Sequence, residues 1–159
     1  ILQYAKENRI RVIALNLPFH IPAKIRVGGI SSLSEEDAKH LPASIDTTNA
    51  EHRNYLEEIY KLHRFHGRDN FEFFYEAQCA WEDAMAAKVA EYLKTEKMVV
   101  LAGNGHIIRK FGIPDRAFAR TQAPFSTIYL AAVGSEADRS WADYIWVTPE
   151  RRMSRMPIK

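Results

Sequence analysis

The residues best suited to chemistry are His106, Glu82 and Gln78. His106 follows the stretch MVVLAGNG, residues 98–105, in which five apolar residues break abruptly into Gly103-Asn104-Gly105. A short apolar run bounded by turn residues reads as a buried strand. Ligands of open α/β sheets sit beyond the carboxyl ends of the strands, so this histidine is delivered where chemistry is done. Glu82 and Gln78 stand one helical turn apart, at the centre of an apolar stripe made by Phe71, Phe74, Trp81, Met85, Val89 and Tyr92. A carboxylate there must be paired, ligated or protonated, because burying it alone is costly. An ion pair with Arg109 or Arg116 is the purely structural explanation. Glutamate and histidine together can act as base and acid, or hold a divalent metal with water in an open position.

These residues need a strand and a facing helix to position them. Residues 98–102 supply one strand, and the pattern predicts others over 11–16, 126–133 and 142–147. Asn70 is placed to open the longest helix, 71–93. A capping box at Thr48–Glu51 opens another, which runs to about His66 and carries His52, Tyr55, Leu56, Ile59, His63 and His66 on one face. A second box at Ser34–Asp37 opens a short helix. Asn16, Phe19 and His20 fall at the end of the 11–16 strand and are expected on the same rim as His106. Strands alternating with helices imply an α/β fold, a layered, mostly parallel sheet flanked by helices, in a single domain over 1–159.

The totals narrow the function. The chain has 159 residues, 47% hydrophobic and 26% charged, with net charge +2. That balance is too mild to imply nucleic acid. One cysteine, Cys79, excludes an internal disulfide and a cysteine zinc cluster. Gly103-Asn104-Gly105 begins like a dinucleotide fingerprint, but Ile108 stands where the third glycine belongs. No P-loop or G-x-S-x-G elbow occurs. Two readings remain level. One is a His106–Glu82 site for metal-assisted hydrolysis. The other is an apolar, aromatic surface (Phe74, Trp81, Met85, Phe111) for a flat macrocycle, since haem iron accepts His, Tyr or Met.

The run Gln78-Cys79-Ala80-Trp81-Glu82-Asp83-Ala84-Met85-Ala86, followed by Val99 to His106 and then Gly112-Ile113-Pro114, resembles the ChaN-like haem-binding family. Ala14-Leu15-Asn16-Leu17-Pro18 with Gly28-Gly29-Ile30 is similar to its earlier segment, and Ala142-Asp143-Tyr144 to its final strand. The resemblance implies a role in haem and iron uptake, within a group that includes Tiki and TraB proteins and erythromycin esterases. It implies haem contacts at Gln78, Trp81, Met85, Gly103, Asn104, Gly105 and His106, with Tyr60, His63 and Tyr75 as further candidate ligands. Arg109 or Lys110 would suit the propionates. It also implies a domain lacking its N-terminal part, a bacterial envelope location with any membrane anchor outside this chain, and binding by the chain or across a homodimer. A metal-dependent hydrolase using His106 and Glu82 is the alternative.

Overall fold

The computed structural model describes residues 1–62 and 70–149. His63 and His66 lie outside the described residues. The helices are α1 (Leu2–Glu7), α2 (His20–Gly28), α3 (Glu35–Ala38), α4 (Ala50–Leu62), α5 (Phe71–Leu93) and α6 (Ile113–Thr121). Two strands, β1 (Ile128–Ala132) and β2 (Tyr144–Thr148), pair in parallel with Ile128 opposite Tyr144.

Helix α5 is the axis of the fold. The Asn70 side chain accepts a hydrogen bond from the Glu72 N–H at 2.9 Å, satisfying one of the free amides of the first turn. Its stripe packs in two directions. Ala77, Ala80 and Ala84 meet Leu17, Ile21 and Ile25 around α2. Met85, Ala86 and Val89 meet Ile113 and Ala117 of α6. The many alanines let both helices come close. So α5 is covered nearly all round, and Asp83, which the helical period alone places on the face opposite the stripe, is fully buried.

Three local expectations change. Helix α4 is capped by Asn49, whose side chain accepts from the His52 N–H at 2.9 Å, while the Thr48 hydroxyl donates to Asp46 instead. Gly112-Ile113-Pro114-Asp115, whose glycine and proline predict a turn, is instead the start of α6; Pro114 sits in the first turn, where its missing N–H is not needed. The expected layered sheet is reduced, among the described residues, to the β1–β2 pair. Residues 11–16 and 98–102 join no ladder. They keep the alternation of strands: Met98, Val100 and Leu15 pack against the Met85 cluster, while Val12, Val99 and Leu101 face outward. Met98–Ala102 is therefore covered on one face, not on both. It has helices on one side and, among the described residues, no neighbouring strand to shield the other.

Candidate functional site

Glu82 brings the site together. It is fully buried in the middle of α5. Its Oε1 lies 3.1 Å from His106 Nδ1 and accepts from Gln78 Nε2 at 2.6 Å. Gln78 Nε2 is also 3.0 Å from His106 Nδ1. These contacts allow two neutral tautomers. Either Nδ1–H donates to Glu82, or a bare Nδ1 accepts from Gln78. The first leaves Nε2 with a free lone pair, and no protein group among the described residues occupies that nitrogen. A carboxylate on Nδ1 with Nε2 open is how proteins prepare a histidine as a metal ligand or base.

The loop that carries His106 is held from both sides. The Asn104 side chain imitates a peptide toward β1, donating to the Leu130 carbonyl at 2.8 Å and accepting from its N–H at 3.4 Å. The Trp81 ring lies 5.4 Å from the His106 ring, edge to face, and its Nε1–H donates to the Asn16 side chain. Beyond His106 the backbone is strained: Arg109 and Lys110 both hold positive φ, 52° and 66°. Gly112 follows at φ +75°, and a Cβ there would stand 2.8 Å from the Glu82 carboxyl and 2.7 Å from the His106 carbonyl. Gly112→Ala is therefore expected to cost about 1–3 kcal/mol and to displace the Glu82 carboxyl. The urea midpoint should fall, and the His106 imidazole resonances should move; unchanged resonances would contradict the close approach.

The other oxygen of Glu82 faces a second histidine. His52 Nε2 is 3.5 Å from Glu82 Oε2, and neither atom has a hydrogen-bond partner among the described residues. Arg116 Nε lies 3.7 Å from the same oxygen. Burial depresses the His52 pKa, with Glu82 opposing and Arg116 assisting. The folded state thus takes up this proton less readily than the unfolded chain. Stability is expected to fall as pH drops below the ordinary histidine value of 6.5, by at most about 1.4 kcal/mol per pH unit for one group. Chemical unfolding of the native chain and of His52→Phe between pH 7.5 and 5 measures this; equal slopes would refute it.

Asp83, next in sequence, anchors the arrangement. Its carboxylate accepts from Arg116, from Arg120 at 2.6 Å and from the Asp46 N–H at 2.8 Å. Arg116 also donates to the Asp46 carbonyl at 2.8 Å. This is the arginine that competed for Glu82; its shortest ion pair is with Asp83. Asp83 and His52 were not legible as site-building residues. The signals were the alanines around Asp83 and the position of His52 on an apolar stripe.

Trp81, Met85, Gly103 and His106 line one apolar cleft of about 780 Å³, walled by residues 10–16 and 96–103. Several expected residues stand elsewhere. Tyr75 is buried, its hydroxyl donating to the Thr47 carbonyl at 3.1 Å, and burial raises its pKa. Tyr60 packs on Phe71 and Phe74. His20 binds Asp37 at 3.0 Å rather than joining the rim, and Phe19 is exposed. Lys110 pairs with Asp143 at 2.8 Å; the cleft's basic residues are Arg11 and Lys97. Cys79 is buried, and burial pushes its thiol up to about 11, so it is inert. No group of three His, Cys, Asp or Glu among the described residues is placed to hold a metal ion.

No curated protein and no solved structure matches the chain. A family model described as haem-binding uptake, Tiki superfamily, ChaN matches residues 1–117, which carry both cleft walls, the Glu82–His106 pair and the start of α6. The chain therefore belongs to the ChaN haem-binding uptake family of the Tiki superfamily.

Proposed function

We propose that the protein binds haem at the His106 end of the apolar cleft and serves haem or iron uptake in a bacterial envelope. The observation that carries this reading is the family match over residues 1–117. The residues present fit the group. A cleft of about 780 Å³ is within the usual range for a cofactor-sized ligand. Trp81 and Met85 offer soft apolar contact, and His106 offers Nε2. When bound, haem would supply an iron centre that a histidine nitrogen can hold, and His106 is the residue placed to hold it. Glu82 accepts from Nδ1–H and so keeps the Nε2 lone pair available, while Gln78 fixes the carboxylate. Arg11 and Lys97 are the arginine and lysine that line the cleft, and Arg11 pairs with Glu96 at 2.9 Å.

The test is a visible-range titration of the chain with hemin. A saturable Soret shift is expected. No shift up to equimolar hemin and beyond would overturn the reading.

A further inference from the structure

We propose that His52 is a positioning residue for His106: acting through Glu82, it selects the tautomer that leaves His106 Nε2 free. The inference deepens the haem reading and rests on it only in taking His106 as the iron donor. The contacts of His106 Nδ1 admit two states, one bonded to Glu82 at 3.1 Å and one to Gln78 at 3.0 Å. Distances so nearly equal do not choose between them. The choice falls to whatever fixes the Glu82 carboxyl.

That carboxyl is hydrogen-bonded at one oxygen. Oε1 accepts from Gln78 at 2.6 Å, whereas Oε2 is buried with no hydrogen-bond partner among the described residues. Two side chains capable of ion pairing face Oε2. Arg116 Nε stands 3.7 Å away, and its Nη1 is already donated to Asp83 and to the Asp46 carbonyl. His52 Nε2 is nearer, at 3.5 Å, and is itself buried without a partner. Two unpaired buried atoms that face each other call for one explanation. A bare Nε2 would set its lone pair against the carboxylate; an Nε2–H aims its dipole at it. Burial disfavours the charged ring, so His52 carries a single N–H, and the carboxylate assigns that proton to Nε2.

The ring is fixed in this attitude. The Asn49 side chain accepts from the His52 backbone N–H at 2.9 Å at the start of α4. Tyr75 packs on the ring edge-on, with centroids 6.1 Å apart, and Phe111 lies at 5.3 Å. Phe111 precedes Gly112, where an added Cβ would strike the same carboxyl. Without the His52 N–H, the carboxyl is free to turn toward Arg116. Oε1 then leaves the line to Nδ1, and Gln78 is left as donor to a bare Nδ1. The ring proton moves from Nδ1 to Nε2, and no lone pair faces a ligand.

The test is long-range proton–nitrogen NMR of the histidine rings in the hemin-free chain at pH 7.5, which reads the nitrogen that carries each proton. In the native chain His52 is expected with its proton on Nε2 and His106 with its proton on Nδ1. His52→Phe keeps a ring against Tyr75 and Phe111 but has no N–H, and should move the His106 proton to Nε2. His52→Gln puts an amide N–H near the same point and should restore the native His106 pattern. Hemin affinity should fall about tenfold in His52→Phe, the low end of the range for an outer partner of a ligating histidine, and recover in His52→Gln. A native His52 with its proton on Nδ1 overturns the proposal without any variant. So does a folded His52→Phe chain with the native His106 pattern. Equal displacement of His106 in both variants also overturns it, because the shape of the ring and not its N–H would then be responsible. The expected proton positions in a chain that binds no hemin would support the proposal while sinking the haem reading.

Discussion

Arg116→Met is expected to cost about 3–5 kcal/mol, a large part of the 5–15 kcal/mol by which a typical domain is stable. The reason is an uncompensated charge. Asp83 is fully buried, and Arg116, itself 6% exposed, is one of the two cations on its carboxylate. Arg120 remains in the variant but is more exposed and reaches only Oδ1. The Asp46 carbonyl loses a donor, and Glu82 loses the nearest positive charge to Oε2. Urea unfolding followed by tryptophan fluorescence measures the loss. The double variant Asp83→Leu/Arg116→Met should recover much of it, because Asp83 no longer leaves an uncompensated carboxylate in the core. A single-variant cost below about 1 kcal/mol would place the pair with ordinary surface ion pairs and contradict the account.

The same network marks where the sequence stops being legible. Helix α5 is readable to its ends, because Asn70 is a strong cap and the apolar period holds from Phe71 to Val89. Glu82 is readable because a carboxylate inside that stripe is costly anywhere in any fold. Asp83 is not. One residue further round the helix it points away from the stripe, and only the arrival of α6 with Arg116 and Arg120 buries it. Single-helix periodicity carries no record of a second helix. The strands divide in the same way. The unbroken apolar run at 98–102 predicts cover on both faces, and nothing in it says that Met98 and Val100 turn inward while Val99 and Leu101 stay exposed. A ladder, however, is a property of two segments, and nothing within 11–16 or 98–102 states which neighbour completes it. The positive φ of Arg109 and Lys110 has no sequence signature either, since neither is a residue that favours that region. It is imposed by closing the loop between a fixed His106 and the Gly112 cap of α6.

Glu82→Gln is expected to weaken hemin binding about 10–100-fold, the usual effect of removing the carboxylate behind a ligating histidine. The substitution keeps the shape of the side chain and an oxygen to accept from Nδ1–H. It removes the charge that favours this tautomer and makes Nε2 a better donor. His106→Ala should go further and abolish any imidazole-to-iron signature, because it deletes the nitrogen itself. Hemin titrations of the three proteins, read by Soret position and by the midpoint of binding, separate the two effects. If Glu82→Gln weakens binding while the Soret position is kept, Glu82 acts through the ring. If His106→Ala binds with the native spectrum and midpoint, the iron donor lies elsewhere, and the Glu82–His106 pair has no part in ligation. Circular dichroism of each variant checks that the fold survives, which matters most for Glu82, whose other oxygen faces His52 and Arg116 in the core. A Glu82→Gln chain that is folded, binds hemin with unchanged affinity and keeps the His106 signature would show that the Nδ1–H tautomer needs only an acceptor oxygen at position 82 and not its charge.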